Sequence, residues 1–244
     1  MNEILSLSHG PMSCDIMPAL GGSLVGLRLG DLPVLRPLPD QGIQSARQAA
    51  SYPLVPFSNR ISHAQLVWQG TNHPLVRNNQ DEPHAIHGVG WQRAWSVLES
   101  DASSAMLAYE HKADANWPFA FDSSQVFRLS DDTLDLTLSV TNQSPAAAPF
   151  GLGWHPYFVK RERSRLSFQA TGRWEMGDDK LPTHRSPSRG IDADCAFLDV
   201  DHCFDGVRGD VHLRDERMHV RVRSDLSHLV PSGAPVLDVA CGAG

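Results

Sequence analysis

Short runs in which apolar and polar residues alternate recur along the chain, at 125–129, 133–140 and 219–223. A period of two residues is typical of strands that bury one face. Helical periodicity is hard to find, and the one helical patch, at 44–50, is short. Clusters of turn-forming residues separate the runs, at 21–22, 130–132, 142–145 and 187–190. The pattern predicts an all-β protein built as an antiparallel sandwich or a barrel.

Composition agrees with this prediction. The chain has 244 residues, of which 41% are hydrophobic and 20% charged, which is typical of a globular protein with a core. Its 19 Gly and 17 Pro indicate many turns. With 21 basic and 28 acidic residues, the net charge of −7 argues against nucleic acid or an anionic membrane as a partner.

The N-terminus, the length of the apolar stretches and the cysteines indicate the cellular compartment. The first residues, MNEILSLSHGPM, lack the basic region of a secretory signal, and no apolar stretch approaches the ~18 residues that cross a bilayer. The four cysteines are scattered, with no Cys-x-x-Cys pair. We therefore expect free thiols and a cytoplasmic protein.

Three segments, at 53–62, 84–91 and 149–158, each combine Pro or Gly with an aromatic residue and a His or Arg. Rigid turns, flat rings and hydrogen-bond donors are typical of sites for small polar molecules. By residue type alone, packing or surface roles for these histidines stay open. A metal bound by His84 and His87 is disfavoured because no third ligand follows nearby and a closed zinc site needs four.

Seven segments, taken in order, resemble the aldose 1-epimerase (galactose mutarotase) family in its bacterial branch, over about nine-tenths of the chain. They are PALGGSLVGLRLG (18–30), PFSNRI (56–61), HAIHGVGWQRAW (84–95), WPFAF (117–121), LSVTNQS (138–144), GLGWHPYF (151–158) and VDHCFDG (200–206). The resemblance implies a large antiparallel β-sandwich, the galactose mutarotase-like supersandwich, which could lack its last strands. We expect this domain at 1–230 and an atypical tail at 231–244.

The family interconverts the α and β anomers of a free sugar by acid–base ring opening, which needs neither metal nor cofactor. The resemblance implies that His155, in GWHPYF, is the general acid. It implies that Arg60 and His87 hold the sugar hydroxyls and the ring oxygen, and that Asp201 accepts hydrogen bonds from hydroxyls. Trp154 is a candidate platform for stacking on the sugar.

Structural alternatives stay open for several of these residues. Trp91, a second stacking candidate, and Trp154 could each be plain core, and Arg60 could pair with a surface carboxylate. The remaining histidines of these regions are interpreted as packing or surface residues; they are His63, His73, His84 and His111.

The C-terminus departs from the family, whose base is a Glu in an apolar-Cys-x-Glu-Pro context that this chain does not contain. Asp238 could take that place, with a side chain one methylene shorter, a change that general acid–base geometry tolerates poorly. Residues 236–244, VLDVACGAG, also resemble motif I of S-adenosylmethionine methyltransferases, although the chain stops before such a domain could form. We therefore expect a truncated or rearranged C-terminus.

The sequence predicts a mutarotase for a free hexose, with activity impaired because the Glu base is missing. The alternative is a non-catalytic carbohydrate-binding protein of the same fold. A variant of the mutarotase hypothesis is an enzyme for phosphorylated sugars, for which Arg93 is the only nearby candidate cation. A third hypothesis, a methyltransferase, rests on the nine terminal residues alone. Neither the identity of the sugar nor the oligomeric state is assigned.

Overall fold

The computed structural model describes residues 3–225, 227–232 and 237–242. Contacts divide the chain into two compact units, Met1–Trp154 and His155–Gly244. In the described ranges the regular structure is strand, apart from four single turns of 3-10 helix. These turns are Ala46–Gln48, Ser62–Ala64, Gly90–Gln92 and Cys195–Phe197. The all-β prediction is confirmed, and the division at residue 230 stays a prediction.

The described part of the first unit contains fourteen strands. They are β1 (Leu5–His9), β2 (Met12–Met17), β3 (Ser23–Leu29), β4 (Leu32–Pro33), β5 (Pro53–Leu54), β6 (Arg60–Ile61), β7 (Gln65–Trp68), β8 (Thr71–Pro74), β9 (Ala85–Ile86), β10 (Ser96–Ser100), β11 (Ser104–His111), β12 (Phe121–Leu129), β13 (Leu134–Asn142) and β14 (Gly153–Trp154). They form two four-stranded antiparallel sheets, β1-β2-β3-β4 and β10-β11-β12-β13. Three shorter antiparallel pairs, β5–β14, β6–β9 and β7–β8, complete the unit.

The hairpin β12–β13 shows why the alternating pattern predicts strands. Phe121 and Phe127 on β12 are fully buried, while Asp122 and Arg128 beside them are exposed. Successive side chains of a strand point to opposite faces, so one face joins the core. The predicted run at 125–129 lies in β12, and the run at 133–140 lies in β13 apart from Thr133. The predicted turn at 130–132 lies between the two strands.

The second unit contains ten strands within its described residues. They are β15 (Tyr157–Phe158), β16 (Arg165–Gln169), β17 (Gly172–Met176), β18 (Pro182–Pro187), β19 (Ile191–Asp194), β20 (Cys203–Asp205), β21 (Arg208–Arg214), β22 (His219–Val222), β23 (His228–Ser232) and β24 (Leu237–Gly242). One sheet runs β18-β17-β20-β23-β24, with β15 beside β24, and the other runs β19-β16-β21-β22. Phe168 of β16 meets Phe204 of β20 edge to face, with ring centroids 5.1 Å apart, so the two sheets pack against each other.

The helical patch predicted at 44–50 is a single 3-10 turn, Ala46–Gln48. Its N-terminus is capped in both directions, because Ser45 Oγ accepts the N–H of Arg47 at 3.3 Å and the Gln48 side chain accepts the N–H of Ser45 at 3.2 Å. Ala49 then returns to an extended conformation and ends the turn. None of the described 3-10 turns has the length or apolar character needed to cross a bilayer.

Three of the cysteines, Cys14, Cys195 and Cys203, are free thiols, as predicted. Burial raises the pKa of the Cys14 thiol to about 12 and that of Cys203 to about 11. Both therefore stay protonated at neutral pH and are poor nucleophiles. The side chain of Cys241 lies outside the described residues.

Gly21 and Gly30 both have a positive φ, of +73° and +55°, but only one is crowded. A Cβ at Gly21 would lie 2.4 Å from the carbonyl oxygen of Trp91, whereas nothing lies within 4 Å of a Cβ at Gly30. We expect Gly30→Ala to lower the free energy of unfolding by about 1 kcal/mol. Gly21→Ala should lower it by about 1–3 kcal/mol more, because backbone must move. Urea denaturation measures both, and equal losses would contradict the clash.

Candidate functional site

Arg60 lies on β6 and is held by a carboxylate. Its Nε donates to Glu82 Oε2 at 2.7 Å and its Nη2 donates to Oε1 at 2.9 Å. The two side chains are only 13% and 11% exposed. Nη1 donates to Asn59 Oδ1 at 3.0 Å, so these contacts use three of the five N–H groups of the guanidinium. Arg60 is thereby fixed in direction, and two N–H groups are left for a ligand.

His87 is buried and has a positive φ of 62°. The N–H of Asn59 donates to His87 Nδ1 at 3.2 Å, and the N–H of His87 donates to the Asn59 carbonyl at 2.9 Å. Because Nδ1 accepts a hydrogen bond, the neutral ring carries its proton on Nε2. His87 is therefore oriented as an Nε2–H donor.

The residues after His87 pack directly against another backbone segment. The N–H groups of Val89 and Gly90 both donate to the Val55 carbonyl, at 2.9 and 3.0 Å. Gly88 has a φ of +71°, and a Cβ there would lie 2.2 Å from the same oxygen. Only glycine satisfies both conditions, so the close approach fixes the position of His87.

Asn78 fastens the chain on both sides of His87. Its Nδ2 donates to the carbonyls of Ile86 and Gly88, at 2.7 and 2.9 Å, and its Oδ1 accepts the N–H of Ile86 at 2.8 Å. The sequence singled out neither Asn78 nor Glu82. Both lie in a polar stretch just before His84. Asn78 binds backbone groups 8 and 10 residues further on, and Glu82 binds Arg60, 22 residues earlier, so no motif in the sequence marks either of them.

The two candidate stacking residues differ. Trp91 is buried, donates from Nε1 to the Gly88 carbonyl at 3.1 Å, and packs on Tyr52 with centroids 5.7 Å apart. These contacts favour the core interpretation. Trp154 is half-buried and meets Phe127 edge to face at 6.2 Å. Its partial exposure keeps stacking on a ligand open.

The neighbouring histidines make structural contacts. His84 is fully buried, and its Nδ1 accepts the N–H of His63 at 3.0 Å. His111 is buried between the Trp117 carbonyl, 2.8 Å from Nε2, and the Tyr109 hydroxyl, 3.1 Å from Nδ1. Among the described residues, no group of three or more His, Cys, Asp or Glu could hold a metal ion. The expected absence of a metal stays a prediction.

His155 is the first residue of the second unit and is buried. Pro156 restricts its backbone to an extended conformation, and its ring lies 4.9 Å from that of Tyr157. Tyr157 on β15 pairs with Asp238 on β24, whose other neighbour in register is Ser232. The fold therefore brings the backbone of the candidate base close to His155 along the sheet. The side chain of Asp238 lies outside the described residues.

Asp201 is exposed and lies two residues before β20. Next to it, His202 Nε2 lies 3.5 Å from Glu175 Oε2. Hydrogen bonds from Arg173 hold the pKa of Glu175 below its usual range, so this carboxylate stays ionised. Sugar binding by Asp201 stays a prediction, and its exposure leaves the carboxylate accessible to a ligand.

Comparison with known proteins decides the family. The family model described as aldose 1-epimerase matches residues 3–231. This chain belongs to the aldose 1-epimerase family. The match covers nearly all of the first unit and the second unit as far as residue 231, and it includes the positions of Arg60, His87, His155 and Asp201.

The relatives are spread over curated proteins and solved structures. YphB of Escherichia coli K12, described as uncharacterized, is 40% identical over 171 residues, which are 70% of this chain and 57% of YphB. YihR of the same organism, also described as uncharacterized, is 33% identical over 107 residues, 43% of this chain and 35% of YihR. The chain thus spans 57% of the length of YphB and 35% of the length of YihR.

Solved structures support the fold. A crystal structure of an Escherichia coli K12 protein, described as a candidate aldose 1-epimerase, superposes with a TM-score of 0.88 at 29% identity, over 99% of this chain and 88% of that one. Galactose 1-epimerase of Lactobacillus acidophilus NCFM gives 0.80 at 14% identity, over 98% and 85%, a likeness of fold alone. The predicted galactose mutarotase-like β-sandwich is confirmed.

The pair Arg60–Glu82 should stabilise the fold as well as orient the guanidinium. Glu82→Gln leaves a nearly buried cation without its charge partner, so we expect the free energy of unfolding to fall by about 2–4 kcal/mol. The control is Asp192→Asn, which breaks the pair Arg165–Asp192, whose side chains are 51% and 68% exposed. Its effect should be much smaller, because solvent screens exposed pairs. Equal losses in urea denaturation would contradict this role of Glu82.

Proposed function

We propose that this protein is a mutarotase that interconverts the α and β anomers of a free hexose. The observation that carries the proposal is the family match over residues 3–231, which includes every polar residue assigned to the site except Asp238. In the reaction, a base removes the proton of the anomeric hydroxyl while an acid protonates the ring oxygen. The ring opens to an aldehyde, the C1–C2 bond rotates, and reclosure returns both protons.

In this proposal His155 is the general acid and Asp238 the base. Histidine is suited to the first role because it gives and takes a proton near neutral pH. Burial of His155 keeps competing water away from the ring oxygen. Asp238 carries the carboxylate proposed as the base, and it lies on the strand that pairs with Tyr157. Tyr157 follows His155 by two residues.

Arg60, His87 and Asp201 bind the sugar in this proposal. The remaining N–H groups of Arg60 and the Nε2–H of His87 donate to sugar oxygens, while Asp201 accepts from hydroxyls. Glu82 neutralises the charge of Arg60 through two hydrogen bonds. This neutralisation favours a neutral sugar over a phosphorylated one.

One observation favours the alternative, a carbohydrate-binding protein without catalysis. The resemblance implies a Glu as the base in this region of the sequence. The residue that pairs with Tyr157 there is an aspartate, Asp238. A carboxylate one methylene shorter reaches less far, and proton transfer is sensitive to such a shift. Binding of a sugar would survive this change better than catalysis.

Polarimetry of freshly dissolved α-D-glucose and α-D-galactose tests the proposal. The protein should accelerate the approach to equilibrium rotation, and His155→Ala should reduce this acceleration by about 100-fold or more. The control is His184→Ala, which removes an exposed histidine from β18 and should leave the rate unchanged. A protein that binds sugar without any acceleration would indicate the non-catalytic alternative. Full activity of His155→Ala would exclude His155 as the acid.

A pair of substitutions tests the base. Asp238→Ala should lower the catalysed rate by about 100-fold, whereas Asp238→Glu should raise it above that of the unaltered protein, because the longer side chain restores reach. Asp178→Ala, which removes an exposed carboxylate, is the control. An unchanged rate in Asp238→Ala would exclude Asp238 as the base.

A further inference from the structure

Strand β13 lies at one edge of the sheet β10-β11-β12-β13. It pairs with β12 in continuous antiparallel register, from Leu134 opposite Leu129 to Asn142 opposite Phe121, without a bulge. An edge strand presents a row of N–H and C=O groups on its far side, and these groups are a template for a further strand. The far side of β13 is therefore a surface on which another chain could pair.

Hydrogen bonds at the two ends of the hairpin show which residues of β13 face outward. The N–H of Ser130 donates to the Thr133 carbonyl, and the N–H of Gln143 donates to the Ala120 carbonyl, both at 2.9 Å. Because every second residue of an antiparallel strand bonds to the same neighbour, the odd-numbered residues bond to β12. The even-numbered residues direct their backbone groups away from it, and across the described ranges no other backbone group bonds to them. They are Leu134, Leu136, Leu138, Val140 and Asn142.

This edge lacks the features that usually prevent strands of different chains from pairing. Natural edge strands are short, bulged, interrupted by proline or positively charged. At the opposite edge of the same sheet, β10 has a register shift between Val97 and Glu99. β18 begins and ends with proline, and β22 carries His219 and Arg221. With nine residues, β13 is the longest edge strand that the structure describes, and Asp135 is its one charged residue.

The side chains of β13 fit a neighbour of the same pattern. The even-numbered side chains lie on the core side, since Leu136 pairs with the fully buried Phe127. From Leu134 to Val140 these apolar side chains are nevertheless only half-buried. The odd-numbered side chains on the other face are exposed and small or polar; they are Asp135, Thr137, Ser139 and Thr141. A strand with the same alternation would cover the apolar row and keep the polar face in water.

The sequence of β13 is complementary to itself. In a two-fold antiparallel pair, outward-bonding residues meet outward-bonding residues, so the axis passes through a residue position. An axis at Leu138 pairs the strand over its whole length and brings Leu136 of one copy opposite Val140 of the other. Asp135 then meets Thr141, so like charges do not face each other. About ten backbone hydrogen bonds join the copies, because five residues of each copy donate one N–H.

We propose that β13 is a homodimerisation surface, at which two copies of this chain pair antiparallel about Leu138 and join their four-stranded sheets into one of eight strands. The strand offers nine residues a side, whereas standard interfaces use about 20–30. We therefore expect a weak dimer, with a Kd of about 10–100 µM. This proposal is independent of the sugar chemistry proposed above.

Sedimentation velocity from about 1 to about 300 µM protein measures the association. In the dimer, Thr137 of each copy lies opposite Ser139 of the other, at a closely spaced position without hydrogen bonds between them. Thr137→Lys with Ser139→Lys places like charges opposite each other twice and should weaken the dimer. Thr137→Lys with Ser139→Glu places opposite charges there and should tighten it. The Kd values of the two double variants should differ by about tenfold or more.

A control separates this effect from net charge. Ser96→Lys with Ser100→Lys adds the same two charges to exposed positions of β10, at the other edge of the sheet. It should leave the Kd within about twofold of that of the unaltered protein. Circular dichroism of each variant confirms that it is folded.

Amide exchange in the unaltered protein gives a second test that needs no variant. The N–H groups of Thr137 and Ser139, which bond to β12, should exchange slowly at every concentration. Those of Leu136, Leu138 and Val140 should exchange fast at about 2 µM and at least about tenfold more slowly at about 300 µM, where the dimer forms. Exchange is quenched and read by nuclear magnetic resonance.

Each measurement can overturn the proposal. It is rejected if the protein stays monomeric up to about 300 µM, or if it forms assemblies larger than a dimer. It is also rejected if the two folded double variants dimerise equally well, or if the exchange of the even-numbered amides does not depend on concentration. In the last two cases a dimer that does form uses another surface.

Discussion

The carbonyl oxygen of Val55 is the point on which the first unit's polar residues depend. It accepts the N–H groups of Val89 and Gly90, and Gly88 leaves no room for a side chain beside it. A backbone approach this close holds the segment after His87 rigidly. The ring of His87 then meets the N–H of Asn59 in one orientation, and its proton is confined to Nε2.

Arginine–carboxylate pairs occur in both units. Glu82 neutralises Arg60 in the first unit, and Asp205 neutralises Arg185 in the second. In each pair both oxygens of the carboxylate are engaged, so the arginine is held in one direction while it still offers further N–H groups. Such groups hydrogen-bond to neutral hydroxyls and attract anions weakly, which suits sugars without charged substituents.

The alternating pattern, by itself, determined the all-β class and the hairpin at 121–142, because strand burial is a local property that repeats every two residues. The quoted segments also pointed to the family and to Arg60, His87, His155 and Asp201. The sequence also predicted a short helical patch at 44–50. The structure has one 3-10 turn there, Ala46–Gln48, which ends because Ala49 is extended.

Only the tertiary structure decided which residues hold the candidate site residues in place and which belong to the core. Glu82 and Asn78 lie between strands and bind Arg60 and the backbone beside His87. Trp91 is a core residue, buried against Tyr52 and bonded to the Gly88 carbonyl. The contacts of Asp205 with Trp174 and Arg185 are likewise invisible in the sequence, since these residues come from three different strands, β20, β17 and β18. Strand register brings such residues together, and register depends on long-range pairing that no local pattern encodes.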